Sequence, residues 1–126
     1  MFAFQVKIIA LLLICPLVAS QRPSNRSVLI FADKGDNVNA IQQINILKAD
    51  PNGIKDRDII FKVITYSESN MQHYKKWHIP NAPFTVILIG KDNGEKLRSH
   101  QPVTLARLFD LIDNMPMRQQ EMKYKH

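Results

Sequence analysis

NAPFTVILIGKDNGEKLRS, residues Asn81 to Ser99, is the stretch that decides the fold. Phe84 to Ile89 is a nearly unbroken apolar run rich in β-branched residues. Such a run suits a strand in the middle of a sheet, covered on both faces. Lys91 to Gly94 carries Asp-Asn-Gly, a turn in which Asn93-Gly94 tolerates positive φ. Glu95 to Ser99 is polar, with only Leu97 pointing inward, which is the pattern of an edge strand. Pro83, just ahead of the central strand, offers no N–H to a ladder and fixes its own φ.

Upstream of this hairpin, Met71, Tyr74 and Trp77 share one side of a helix that Ser67 or Ser69 can cap. Pro80 and Pro83 stop it. IIFKVI, Ile59 to Ile64, reads as a strand, and Lys62 within it argues for an edge. Lys55 to Asp58 reads as a charged loop. Val38, Ile41, Ile44 and Leu47 recur at near-helical spacing with Ala40 beside them, so this face should pack on the sheet. Asp36 or Asn37 can cap that helix, and Asp50-Pro51-Asn52-Gly53 ends it. SVLIFA, Ser27 to Ala32, is the first strand.

Downstream, Pro102 and Thr104 open a last helix. Leu105, Leu108, Phe109, Ile112 and Met115 give it the clearest helical period in the chain. Asn114 and Pro116 close it, and a polar, basic tail follows. The order is β-α-β-α-β-β-α. A helical crossover makes the first two strands parallel and right-handed. Placing the two most apolar strands centrally gives a four-stranded mixed sheet in order 2-1-3-4, an α/β fold of thioredoxin-like layout.

Residues 1–20 have the pattern of an export signal. Lys7 is their one charge, Ile8 to Val18 is the apolar core, and Val18-Ala19-Ser20 offers small residues for cleavage. The apolar run is short for a membrane span, so none is expected after cleavage. Lipid attachment through Cys15 is the minor alternative, disfavoured by Ile14 before it. A loose leader, 21–26, then precedes one domain, 27–122, and a polar tail, 123–126. Asn25-Arg26-Ser27 matches the glycosylation acceptor pattern. The chain has 17 basic and 11 acidic residues; cleavage removes only Lys7, leaving a net charge of +5. The basic residues are scattered and not interleaved with exposed aromatics, which argues against nucleic acid. Cys15 is the only cysteine, so the expected mature chain has no disulfide, zinc-thiolate or cysteine nucleophile.

LIGKDNGEKLRS, followed by PVTLARLFDLIDNMPMRQQEM, resembles domain-of-unknown-function family 4174. The family is found in bacterial envelope proteins and is similar to domains of coiled-coil domain-containing protein 80 and of sushi-repeat-containing proteins. The resemblance covers about Ser27 to Met122. It is carried by Gly90-Lys91-Asp92, Gly94, Lys96-Leu97-Arg98, Asp113, Met115-Pro116-Met117-Arg118 and Gln120-Glu121-Met122. It implies a thioredoxin-like or peroxiredoxin-like fold, secreted or periplasmic, with no established reaction.

Thioredoxins place reactive thiols between the first strand and the following helix, whose N-terminus lowers the thiol pKa. Here that junction is ADKGDNVNA, Ala32 to Ala40, and it holds no sulfur. Asp33 and Asp36 put carboxylates there, as helix-end caps or as a site for a small cation or amine. Pro83 falls where thioredoxins carry a cis-proline beside a peptide-binding backbone; a plain trans turn proline is the alternative. Lys91, Lys96, Arg98 and Arg118 belong either to a solvated edge strand with ion pairs to Asp113 or Glu121 or to a basic surface for an acidic partner. His73 and His78 are five apart, which does not make an i, i+4 metal pair. No metal or other cofactor is implied. The expected function is a non-catalytic binding or adaptor module for an envelope or extracellular protein or an acidic polymer. The alternative is an oxidoreductase using a borrowed thiol or another nucleophile, an expectation that rests on fold analogy.

Overall fold

The computed structural model describes residues 25–124. The export-signal segment, Cys15 and most of the leader lie outside them. The four strands are β1 (Arg26–Ala32), β2 (Ile59–Thr65), β3 (Phe84–Ile89) and β4 (Glu95–Ser99). They form one mixed sheet in the order β2-β1-β3-β4, as expected. β1 and β2 are parallel, and β1–β3 and β3–β4 are antiparallel. All six residues of β3 are buried, which is what its apolar run requires at the centre of the sheet.

The helices are α1 (Val38–Lys48), α2 (Pro51–Asp56), α3 (Met71–Lys76), α4 (Leu105–Asp113) and α5 (Pro116–Tyr124), with a 3-10 turn, Glu68–Asn70, before α3. On one sheet face, Val28, Ile30, Val86 and Leu88 pack with Ala40, Leu47, Ile54, Leu108 and Ile112 from α1, α2 and α4. On the other face, Leu29, Phe31, Ile64, Ile87 and Ile89 pack with Tyr74 and Met71 of the six-residue α3 and with Trp77 just after it. The layers are therefore α/β/α, thick on one side and thin on the other.

Several local expectations change. The stretch Asp50-Pro51-Asn52-Gly53 follows the end of α1 at Lys48, as expected, but starts a further helix instead of a loop. Asp50 accepts the Gly53 N–H and caps α2, with Pro51 at its first position. Lys55 and Asp56 are therefore helical. Neither Ser67 nor Ser69 caps α3; their hydroxyls bond each other at 3.2 Å. Pro116 closes α4 but opens α5, a helix that the polar tail did not announce. Arg26, read as part of a loose leader, is the fully buried first residue of β1. In the hairpin turn only Asn93 takes positive φ, 66°; Gly94 does not.

The face of α1 also differs. Val38 is 76% exposed and Ile41 48%, while Ala40, Gln43 and Leu47 are buried. Buried Gln43 donates Nε2–H to the Val103 carbonyl at 3.0 Å, and its Oε1 accepts the Val103 N–H at 2.7 Å. One amide thereby satisfies both backbone groups of a buried loop residue. Gln43→Leu should cost about 2–4 kcal/mol, because both Val103 groups lose their partner. Val38→Gln should stay within about 0.5 kcal/mol. Urea unfolding of the two variants checks the contrast.

Candidate functional site

The junction between β1 and α1 lies at the C-terminal end of β1, where the chain must satisfy the free N–H groups of α1. Asn37 does so: its Oδ1 accepts the Ala40 N–H at 3.1 Å. Its Nδ2 donates to the Asp33 carboxylate at 2.9 Å and to the Pro83 carbonyl at 3.1 Å. The Asp33 N–H also donates to the Pro83 carbonyl, at 2.9 Å. Asp33 and Pro83 therefore meet, which the sequence left open, through backbone and cap bonds that close the junction. The Ala82–Pro83 bond is trans, since no peptide bond among the described residues is cis. Asp36 is exposed in the loop beside it.

Beside the junction, Tyr74 Oη donates toward the carbonyls of Ala32 and Ile64 at 3.2 and 3.1 Å, joining the ends of β1 and β2. Phe31 and Tyr66 meet its ring edge-on. Burial pushes the Tyr74 phenol up, and the charges of Asp33 and Tyr66 push the same way. An open hollow of about 470 Å³ runs past Tyr66, Met71, Tyr74, His78 and Pro80. His78 lies beyond the end of α3, at φ 51°, so it does not share a helix with His73.

The other predicted site residues lie elsewhere. On β4, Lys96 pairs with Asp92 at 2.7 Å and Arg98 with Glu95 at 2.7 Å. These partners hold the Asp92 and Glu95 carboxyls below their usual range. Arg98 also donates to the Trp77 and His78 carbonyls, tying the chain after α3 to the sheet edge. Arg118 is 2% exposed, at the end of the sheet opposite Asp33 and Pro83. The seven residues of β1 separate the two ends by about 20 Å.

Arg118 belongs to a network of four cations and four carboxylates. Its Nε donates to Asp113 at 3.0 Å and its NH2 to Asp56 at 2.7 Å. Arg57 grips Asp113 with two bonds of 3.0 and 2.8 Å and lies 3.9 Å over the Phe109 ring. Buried Arg26 reaches Glu121 with two bonds of 3.2 and 3.1 Å. Lys91 bridges Asp58 and Glu121, each at 2.8 Å.

A family model described as "Domain of unknown function (DUF4174)" matches residues 17–121. The chain belongs to this family. A solved structure titled "Structure of a malarial protein" is similar, with a TM-score of 0.53 and 18% identity. The match covers 71% of this chain and 96% of that one, and at that identity it bears on the fold alone. No curated protein sequence matches.

In this DUF4174 domain the charged residues that carry the family resemblance are consumed internally. Lys91, Asp113, Arg118 and Glu121 are network members, and Lys96 and Arg98 are paired on the hairpin. Among the described residues no group of three or more His, Cys, Asp or Glu is placed to hold a metal, and no helix is long and apolar enough to cross a membrane. Sequence reading missed Arg26, Arg57, Tyr66 and Tyr74 as site or network residues. Asn37 was foreseeable as one of two cap candidates, and the pairing of Arg118 with Asp113 and Glu121 was one of the readings offered.

Burial alone would raise the Glu121 carboxyl, but Arg26 and Lys91 outweigh it and hold it below the usual range. Asp113 behaves likewise between Arg57 and Arg118. A depressed folded-state pKa adds stability above the unfolded value, and that stability is lost as pH falls through the folded value. Glu121→Gln should cost about 3 kcal/mol at neutral pH, because Arg26 keeps its charge in a buried site. The gap to the wild type should narrow as pH falls from about 5 to about 3. Urea titrations across that range measure it.

Proposed function

We infer that this domain is an exported, non-catalytic binding module on a thioredoxin-like fold. The observation that carries the reading is the self-satisfied junction. Asn37 spends its whole side-chain amide on Ala40, Asp33 and Pro83. Thiol-based electron transfer needs a thiolate near that helix end, and no cysteine follows Cys15. A closed cap with no nucleophile leaves surface contact as the means of action. The sheet order 2-1-3-4 supports the thioredoxin-like assignment. The charge and apolar core of residues 1–20 support export to the periplasm or the extracellular space. The basic surplus supports an anionic envelope or extracellular partner.

Peroxide consumption and disulfide reduction by the purified protein should not exceed buffer background. Turnover that survives repurification would restore the oxidoreductase alternative. In parallel, affinity capture from envelope or secreted extract should retain a specific partner that elutes with salt.

A further inference from the structure

We propose that the outer edge of β2 accepts an extended, acidic segment of a partner polypeptide as a fifth strand. This rests on the reading of the domain as a binding module and names its site and the chemistry of its partner.

Among the described residues β2 pairs only with β1, in a seven-residue register without a bulge. The opposite edge, β4, has four polar residues among its five and a register shift against β3, features that blunt an edge. β2 has neither. The Asp58 carbonyl bonds Arg26 N–H and the Tyr66 N–H bonds Ala32, so both point toward β1. Alternation then turns the N–H and C=O groups of Ile59, Phe61 and Val63 outward. Thr65 also points outward, but its carbonyl is taken by Asn70. The open ladder is thus Ile59 to Val63. Ile60 is 53% exposed and Val63 38%, in a strand where such residues are usually covered.

A groove borders this edge on each face of the sheet. One, about 370 Å³, is lined by Leu47, Ile54 and Phe61 with Lys48, Lys55 and Asp58, the last already paired with Lys91. The other, about 280 Å³, has Ile60 and Trp77 as its floor and Lys62 and Lys76 at its rim. An added strand points successive side chains to opposite faces, so alternate residues would enter alternate grooves. The four lysines are exposed and make no ion pair among the described residues. The network cations and those of β4 are all neutralised, so uncompensated positive charge lines this edge. Acidic residues on the incoming strand are its complement. A second copy is a poor occupant, because two-fold symmetry would face these lysines with an identical set.

The test uses the purified protein in the form its own processing yields. The probes are a synthetic peptide alternating Glu and Val, a Lys/Val counterpart, and a proline-interrupted Glu/Val peptide. The Glu/Val peptide should bind, shift the Ile59–Val63 amide resonances, and protect the Ile59, Phe61 and Val63 N–H groups from exchange. Binding should weaken as salt rises. Val63→Pro removes one outward N–H without touching the β1 ladder and should weaken binding about tenfold. Lys62→Glu with Lys76→Glu should turn the preference toward the Lys/Val peptide; both variants should keep the wild-type far-UV spectrum. Absence of binding, or equal binding of the interrupted peptide, overturns the proposal. Shifts confined to the Tyr66 and Pro80 hollow overturn the edge while leaving the binding-module reading in place. Self-association that protects these same amides gives the edge to a second copy and overturns the acidic partner.

Discussion

A guanidinium with no exposed surface sits on the first residue of β1. Arg26 must find its partners inside the protein, since a buried charge without them costs several kcal/mol. It finds the Arg57 carbonyl and the Glu121 carboxylate, the latter ninety-five positions away. That one requirement holds the last helix in place. α5 is polar along most of its length and buries only Arg118, so apolar packing gives it little reason to dock. Arg118 and Glu121 dock it instead, through Asp56, Asp113, Arg26 and Lys91. The network joins the start of β1, the end of α2, the hairpin turn and the last two helices. It balances four positive against four negative charges at one end of the sheet.

The other end is closed differently. There the bonds are mostly neutral: an asparagine cap, a proline carbonyl and a tyrosine hydroxyl shared between two strand ends. Closure at both ends leaves few polar groups seeking a partner along the axis of the sheet. What remains open lies sideways, on the rim lysines of β2. The charge surplus visible in the composition is thus neither spread evenly nor centred on the residues that carry the family resemblance. Those residues serve cohesion, and four lysines without an ion pair among the described residues, Lys48, Lys55, Lys62 and Lys76, lie where the sheet stops.

The strands, their order and the last core helix were legible because each is written in local apolar pattern. β3 is apolar on both faces and must be covered; β4 is polar and must be an edge. α1 shows where this reading fails. Val38, Ile41, Ile44 and Leu47 fit a helical stripe, but so do Ala40, Ile44 and Leu47 with Gln43 between them. Asn37, bound to Asp33 and Pro83, orients the first turn so that the second stripe faces the sheet. An amide at position 43 reads as surface until Val103, sixty residues on, supplies its two partners. Of the candidate site, the sequence placed Asp33 after β1 and Pro83 before β3 but left open whether they meet. It did not show the closing of that junction by Asn37 or the burial of Arg118.

Sequence alone determined which segments are strands, which of them are central, that the junction lacks sulfur, and the family. All of these depend on composition and on spacing within a few residues, where side chains feel their chain neighbours. Beyond near pairs such as Lys96 with Asp92 and Arg118 with Asp113, tertiary structure decided which charges neutralise one another and which stay free. Ion pairs such as Arg26 with Glu121 join distant segments, and nothing in the local pattern around either residue specifies the other. For the same reason Lys62, Lys76, Lys48 and Lys55, scattered along the chain, became neighbours of one edge only after the sheet had formed.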